Sequence, residues 1–152
     1  MTSMKKTFYR RSKIGPLTAY KLGFGQLIGK VILLLTTTGR KTGLARVTPV
    51  QYELIDGVYH IGAVFGTNTD WVRNILAHPI VQVQVQNKCF TGRAEVLTNP
   101  EEIADYIEYR LQKRPRMIGL IMKMDGFSAN PSREELVEYC QQLALVKVTP
   151  LD

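Results

Sequence analysis

Acidic residues are absent from the first third of this 152-residue chain, since no Asp or Glu precedes Glu53. The first 52 residues carry ten Lys or Arg, a charge of +10, and the remainder carries ten cations and 13 acids, a charge of −3, which together give the formal net charge of +7. This asymmetry indicates an anionic partner for the first third: nucleic acid, anionic lipid and an anionic cofactor all qualify. The alternative is a solvated basic arm over residues 1–13 that has no partner.

Long apolar runs are also absent, because none approaches the roughly 18–20 residues that span a bilayer. Lys5 and Lys6 are followed by no continuous apolar segment, so a secretory signal is not predicted. The two cysteines, Cys89 and Cys140, lie far apart and lack metal-ligand spacing, which favours a reduced cytoplasmic protein. We expect a single domain over residues 14–152, preceded by the basic arm.

The usual catalytic patterns are missing. The two histidines, His60 and His78, have no neighbouring nucleophile or metal ligand, so we expect structural or surface roles for them. We predict no catalytic side chain and no metal site. An enzyme without side-chain catalysts indicates a borrowed reactive group, that is, a cofactor.

Strand patterns dominate what is present. Residues 80–87 alternate Val with Gln, and Asp56-Gly57 is a hairpin signal. Neighbouring strands with turn signals between them favour a mainly β, antiparallel, barrel-like sheet with flanking helices over βαβ units. The predicted strands are 31–37, 46–54 with a bend or edge at Pro49, 58–64, 80–87, 89–97 after a turn at Asn87-Lys88, and 143–149.

Helical patterns flank these strands. A basic amphipathic helix after Pro16 is expected to lie on a membrane surface or to pack on the barrel. Thr69 or Asp70 is predicted to cap a short helix that ends at Ala77. We expect Trp71, Ile75 and Leu76 of that helix to face inward. Further helices are predicted after Asn99-Pro100, over 114–124, and after a capping box at Ser132.

Two glycines, five threonines and three cations crowd residues 36–49, between two predicted strands. Glycines permit close approach of a ligand to the backbone, and successive amides in such a turn form an anion-binding concavity. Arg40, Lys41 and Arg46 add positive charge suited to phosphate or carboxylate. The spacing is not that of a P-loop, and the segment opens a strand instead of a helix. A plain surface hairpin is the alternative.

Two stretches resemble the deazaflavin (coenzyme F420)-dependent nitroreductase and quinone reductase family: LLLTTTGRKTGLARVTP and GAVFGTNTDWVRNILAHPIVQVQVQ. The resemblance covers residues 17–97 well and the C-terminal third weakly. It implies a split β-barrel like the FMN-binding barrels of pyridoxamine-phosphate oxidases. It also implies hydride delivery from reduced deazaflavin to quinones, nitroaromatics or other electron-poor acceptors.

The resemblance further implies a cofactor site in four parts. The phosphate and polyglutamate tail would be bound by Arg40, Lys41, Thr42, Gly43, Ala45 and Arg46, and the ring or linker would be lined by Leu34, Leu35, Thr36 and Pro49. The tricyclic ring would be flanked by Ala63, Val64, Phe65 and Gly66. The opposite wall of the site would be closed by Trp71 and Asn74. Candidates for an acceptor pocket are Tyr106, Tyr109 and Phe127.

Two other functions stay open on the sequence. The same barrel could bind FMN, whose phosphate also suits Arg40, Lys41 and Arg46. A non-enzymatic basic protein could bind anionic membrane or nucleic acid through its first third, although no nucleic-acid motif is present, so no nucleic-acid partner is expected. The resemblance adds a homodimer and a small-molecule electron acceptor as expected partners. The basic N-terminal segment adds a peripheral membrane contact.

Overall fold

A computed structural model describes residues 31–151. The basic arm and the helix expected after Pro16 lie outside the described residues. The described part contains seven strands, four α-helices and one 3₁₀ turn. In chain order these are β1 (Ile32–Thr38), β2 (Ala45–Gln51), β3 (Glu53–Ile55), β4 (Val58–Ala63), the 3₁₀ turn (Gly66–Asn68), α1 (Asp70–Ala77), β5 (Ile80–Val85), β6 (Lys88–Leu97), α2 (Pro100–Lys113), α3 (Pro115–Met124), α4 (Arg133–Cys140) and β7 (Ala144–Pro150).

All seven strands form one antiparallel sheet in the order β2-β1-β5-β6-β7-β4-β3. The sheet curls. The pairing of β1 with β2 extends one residue beyond the two strands, because the Tyr52 amide N–H donates to the Val31 carbonyl at 3.1 Å. The expected mainly β, antiparallel architecture with flanking helices is therefore confirmed. Pro49 lies in β2, an edge strand of this sheet, and edge strands are where a residue without an N–H is tolerated.

The local signals in the middle of the chain are mostly confirmed. Val81, Val83 and Val85 are buried and the glutamines between them are exposed, because successive strand residues point to opposite faces. The Asp56-Gly57 turn has φ values of 51° and 80°, as a two-residue hairpin loop of this kind requires.

The helix starts also follow the sequence. The Asn99 side chain accepts from the amides of Glu101 and Glu102, and the Ser132 side chain accepts from the amide of Glu135. The paired acids therefore lie in the first turns of α2 and α4, as predicted, where the helix dipole favours negative charge.

Three local predictions are wrong, and the predicted cap of α1 is confirmed in position only. The single strand expected over 46–54 is interrupted at Tyr52, where the chain changes its pairing partner from β1 to β4. Leu76 is 60% exposed instead of facing inward. Thr69 occupies the N-cap of α1 but its hydroxyl donates to the Gly66 carbonyl, so no side-chain cap forms. The β5–β6 turn lies at 86–87, one residue before the predicted Asn87-Lys88.

Two hydrophobic clusters stabilise the described part. The first fills the inside of the curled sheet and includes Trp71 and Ile75 of α1. The second joins α2, α3 and α4 to the neighbouring strand β7, through Ile103, Met122 and Leu145. The two cysteines are free: Cys89 is exposed and Cys140 is buried in the second cluster.

A buried carboxylate ties the helices to the sheet. Glu53 of β3 is 1% exposed. Its Oε2 accepts from Lys113 Nζ at 2.9 Å and its Oε1 accepts from Arg114 Nε at 2.8 Å, while Arg110 Nε lies 3.6 Å from Oε1. Arg110 also donates to the Gln51 side chain at 3.1 Å. The corner between α2 and α3 is therefore fixed by charge to the short strand β3.

Candidate functional site

The turn between β1 and β2 carries the cations that the sequence singled out. Its backbone closes on itself, because the Gly39 amide donates to the Leu44 carbonyl and the Gly43 amide donates to the Gly39 carbonyl, both at 2.7 Å. Gly43 has φ of 72°, which glycine adopts without strain. The Thr42 hydroxyl accepts from the Leu44 amide at 3.2 Å. The turn is thus internally bonded, and its side chains project from a defined backbone.

Asn74 of α1 fastens this turn to the barrel. Asn74 is 4% exposed. Its Oδ1 accepts from the Arg40 amide at 3.1 Å and from Arg40 Nη1 at 3.0 Å, and its Nδ2 donates to the Thr37 hydroxyl at 3.3 Å. Three polar groups, from the turn and from β1, therefore bond to this one amide. They satisfy hydrogen-bonding groups of Asn74 that would otherwise be buried without partners.

The three cations of the turn have different surroundings. Arg40 Nη2 donates to Asp70 Oδ1 at 3.2 Å, and the Arg40 side chain is 24% exposed. Lys41 and Arg46 are exposed and have no ion pair within residues 31–151. Arg40 is consequently held in place, whereas Lys41 and Arg46 keep their donors available to a ligand.

A cleft of about 540 Å³ opens between this turn, β2 and the start of α1. Its volume falls in the ordinary range of small-molecule sites, about 300–1,000 Å³. Six of the predicted site residues line it together: Arg40, Lys41, Thr42, Arg46, Trp71 and Asn74. Trp71 is also a core residue, only 6% exposed, so its wall of the cleft is rigid.

Sequence reasoning missed five residues of this lining. They are Gly39, Val47, Thr48, Thr69 and Asp70. Two of them had a usable signal. Thr48 lies two residues from Arg46 on β2, hence on the same face, and Asp70 lies one helical turn before Asn74.

A second cleft, of about 450 Å³, lies on the other side of the same turn. It contains three further predicted residues, Thr36, Gly43 and Ala45, beside His78 and Ile80. The pairing of β1 with β5 ends at Thr36–Gln82, so the two strands separate where this cleft begins. The predicted tail-binding set is therefore divided between two clefts that share the turn.

The remaining predicted residues line neither cleft. Leu34, Leu35 and Pro49 are buried in β1 and β2. The residues implied as the ring-flanking set run from the last residue of β4 to the first residue of the 3₁₀ turn: Ala63, Val64, Phe65 and Gly66. Ala63 belongs to the same core cluster as Trp71, and Val64 packs against the helical cluster. Gly66 has φ of 57°, and a Cβ there would lie 2.8 Å from the Gln142 carbonyl oxygen.

His60 and Tyr106 contact each other and the backbone of the barrel. His60 stacks on the Tyr106 ring with centroids 5.6 Å apart, and one of its ring nitrogens lies 2.9 Å from the Val58 carbonyl. Burial lowers the pKa of His60, an effect that the Val58 contact opposes. Tyr106 is 5% exposed and its hydroxyl donates to the His60 carbonyl at 3.1 Å. Burial also raises the pKa of Tyr106.

The other two acceptor candidates lie apart from this pair. Tyr109 lies beneath the Lys113 ammonium, and Phe127 packs edge-on against Tyr139. Within residues 31–151, no three His, Cys, Asp or Glu side chains are placed to hold a metal ion. No helix in this range has the length and apolar character needed to cross a membrane.

Comparison with solved structures identifies the fold. An F420-H2-dependent reductase is 24% identical over 78% of this chain and 93% of its own, with a TM-score of 0.52. A putative pyridoxamine 5′-phosphate oxidase from Listeria innocua is 13% identical over 83% and 90%, with a TM-score of 0.54. A structure described as a domain-swapped dimer is 24% identical over 78% and 80%, with a TM-score of 0.52. The expected split-barrel fold is confirmed.

A family model extends the likeness from fold to function. The model described as F420H(2)-dependent quinone reductase matches residues 7–119, about three quarters of the chain, and includes the turn, β2 and the whole of α1. The cofactor of this family is coenzyme F420, and the chain is an oxidoreductase. This protein belongs to the F420H(2)-dependent quinone reductase family.

Proposed function

We propose that the protein transfers hydride from reduced F420 to a quinone or another electron-poor acceptor such as a nitroaromatic, with the tail of the cofactor bound in the 540 Å³ cleft. The observation that carries this proposal is the pair of exposed cations on the cleft rim, Lys41 and Arg46, which have no ion pair within the described residues. Hydrogen bonds from such cations to phosphate and carboxylate oxygens are charge-assisted, and they are roughly twice as strong as neutral ones.

The donor set fits a ligand that is anionic at one end and planar at the other. Lys41 supplies a mobile ammonium, and Arg46 supplies a planar fork that matches phosphate and carboxylate geometry. Trp71 forms a rigid apolar wall at the inner end of the same cleft. The Thr42 and Thr48 side chains add neutral hydrogen-bonding groups along the lining.

Bound reduced F420 supplies the hydride, so the chain need contribute only binding and orientation. Thr36, Gly43 and Ala45 would extend the contact surface around the turn into the second cleft. Leu34, Leu35 and Pro49 would act from within the strands, by holding the turn-bearing hairpin rigid. Rigid placement of the reacting groups lowers the barrier to such a transfer.

We assign the ring-flanking role to the segment from Ala63 to Gly66. Support comes from its connection to the cleft: Thr69 bonds to the Gly66 carbonyl and itself lines the cleft. The left-handed backbone of Gly66 brings this segment against the Gln142 carbonyl, where no side chain fits. If a planar ring lay along this segment, the cationic cleft would lie at one end of the ring.

Titration with oxidised F420, followed by fluorescence quenching, tests the site. We expect Lys41→Ala and Arg46→Ala each to weaken binding by at least about ten-fold, because hydrogen bonds to charged groups contribute about 1.5–3 kcal/mol. The matched control is Lys88→Ala, which removes the same charge from the start of β6 and should leave affinity unchanged. Equal affinity in all three variants would refute the tail site. Tight binding of FMN without binding of F420 would instead favour the flavin alternative.

A homodimer is proposed as well. Support comes from the similar structure described as a domain-swapped dimer and from β2, which is an edge of the described sheet. Size-exclusion chromatography with light scattering distinguishes 17.2 kDa from twice that mass. The membrane contact through the basic segment stays a prediction.

A further inference from the structure

Asp70 places a negative charge at the edge of a cleft that otherwise presents cations. Its Oδ1 lies 3.2 Å from Arg40 Nη2, and its side chain is 83% exposed. Asp70 is also the first residue of α1, where an acid favours the helix dipole. That role explains a small gain in stability, but it does not explain the contact with a cation of the binding cleft.

The Arg40 guanidinium is held differently by its two terminal nitrogens. Nη1 donates to the buried Asn74 amide, which also accepts from the Arg40 backbone, so this attachment cannot be exchanged without disturbing the core. Nη2 donates to Asp70, which is almost fully exposed to water. One nitrogen is therefore fixed, and the other is bound by a partner that a ligand can replace.

We propose that Asp70 is a specificity-determining residue of the cleft: its carboxylate is an internal counter-ion on Arg40, and only an anionic ligand group displaces it. This inference rests on the proposed binding of the F420 tail in the same cleft. Lys41 and Arg46 would make the first contacts with the tail. Arg40 would then exchange Asp70 for a phosphate or carboxylate oxygen.

The exposure of Asp70 makes this exchange feasible. Exposed ion pairs are weak because water screens the attraction and side-chain entropy opposes it. A phosphate or a polycarboxylate brings more charge and more acceptor oxygens than one carboxylate does. Asp70 should therefore lower the affinity for any anionic tail by a small factor and have no effect on a ligand without a tail. Asp70 would thus set the least negative charge that a ligand group needs in order to bind Arg40.

The test compares Asp70→Asn with the wild type, using oxidised F420 and a tail-less deazaflavin that lacks the phosphate and glutamates. We expect Asp70→Asn to bind F420 about three- to five-fold more tightly, which is the range that one exposed ion pair allows. Affinity for the tail-less compound should not change. The matched control is Asp56→Asn, which removes the same charge at the β3–β4 turn, outside the cleft.

A second variant shows whether Asp70 acts through Arg40. In an Arg40→Gln background, the gain from Asp70→Asn should vanish, since the cation that Asp70 competes for is gone. A gain that persists in this background, or one that Asp56→Asn reproduces, overturns the inference. So does unchanged or weaker F420 binding by Asp70→Asn when the wild type binds F420. A wild type that does not bind F420 overturns the proposed function as well, which separates the two failures.

Discussion

Removal of the Glu53 carboxylate should destabilise the protein strongly, because that buried group is the shared ion-pair partner of three cations. In Glu53→Gln, Lys113 and Arg114 can turn to water, since their side chains are 44% and 28% exposed. Arg110 cannot, since it is 8% exposed and its Nε has no hydrogen-bond partner even in the wild type. One buried, unpaired cation costs about 3–5 kcal/mol.

That cost is large against a total stability of about 5–15 kcal/mol. We expect urea unfolding, followed by circular dichroism, to show the loss as a lower midpoint with an unchanged slope. The melting temperature should fall by roughly 10 °C. The control is Glu101→Gln, which removes a carboxylate that is 66% exposed and one of three on Arg133, at a cost below about 1 kcal/mol.

A second variant isolates the cause. Replacing Glu53 and Arg110 together, as Glu53→Leu with Arg110→Met, removes the buried pair and should recover much of the lost stability. The reasoning is refuted if Glu53→Gln costs no more than Glu101→Gln. It is also refuted if the double variant is less stable than Glu53→Gln alone, because the penalty would then lie in lost packing.

The same carboxylate predicts a dependence on pH. Burial raises the pKa of Glu53, but hydrogen bonds from Arg114 and Lys113 and their charges outweigh it, so the pKa lies below its ordinary value of 4.5. A lowered carboxyl pKa stabilises the folded state above the unfolded-state value, and the gain is lost as the pH falls through the folded-state pKa. The stability difference between wild type and Glu53→Gln should therefore shrink below about pH 4. If the difference in stability between the wild type and Glu53→Gln stays constant down to pH 2, this prediction is contradicted.

Two further substitutions test the surroundings of the site. Gly66→Ala should destabilise the fold by more than the roughly 1 kcal/mol expected of Gly57→Ala. Both positions have positive φ, but only at Gly66 would the added Cβ also meet a carbonyl oxygen. Equal melting temperatures of the two variants would contradict this prediction. Tyr106→Phe should cost about 1 kcal/mol through the lost bond to the His60 carbonyl, with steady-state reduction of a quinone unchanged. A selective rise in KM for the acceptor would instead place Tyr106 in the acceptor pocket.

The sequence predicts well what local chemistry decides. The Val and Gln alternation of β5 follows from the period of two alone, and the caps at Asn99 and Ser132 bond within three residues of themselves. The Asp56-Gly57 turn needs only the backbone freedom of those two residues. Each of these features is stabilised by neighbours in the chain, so the pattern is sufficient.

Features that depend on distant partners were not predictable. The strand over 46–54 was expected to continue because Val50, Tyr52 and Leu54 alternate. The structure interrupts it at Tyr52, where the pairing changes from β1 to β4, and Glu53 then meets cations about 60 residues further along. A buried Glu between two apolar residues resembles an exposed strand position until those cations are known. The break therefore follows from tertiary contacts and not from local preference.

The candidate site shows the same division between local and distant causes. Composition alone singles out the turn as cationic, but it treats Arg40, Lys41 and Arg46 as equivalent. They differ because Asn74, 34 residues after Arg40, binds only that one cation. The contact gives the turn a fixed cation joined to the core and leaves two cations free to follow a ligand. One cleft therefore holds both a fixed cation and mobile cations. The fixed cation defines the position of the cofactor, and the mobile cations adapt to a tail that has many conformations.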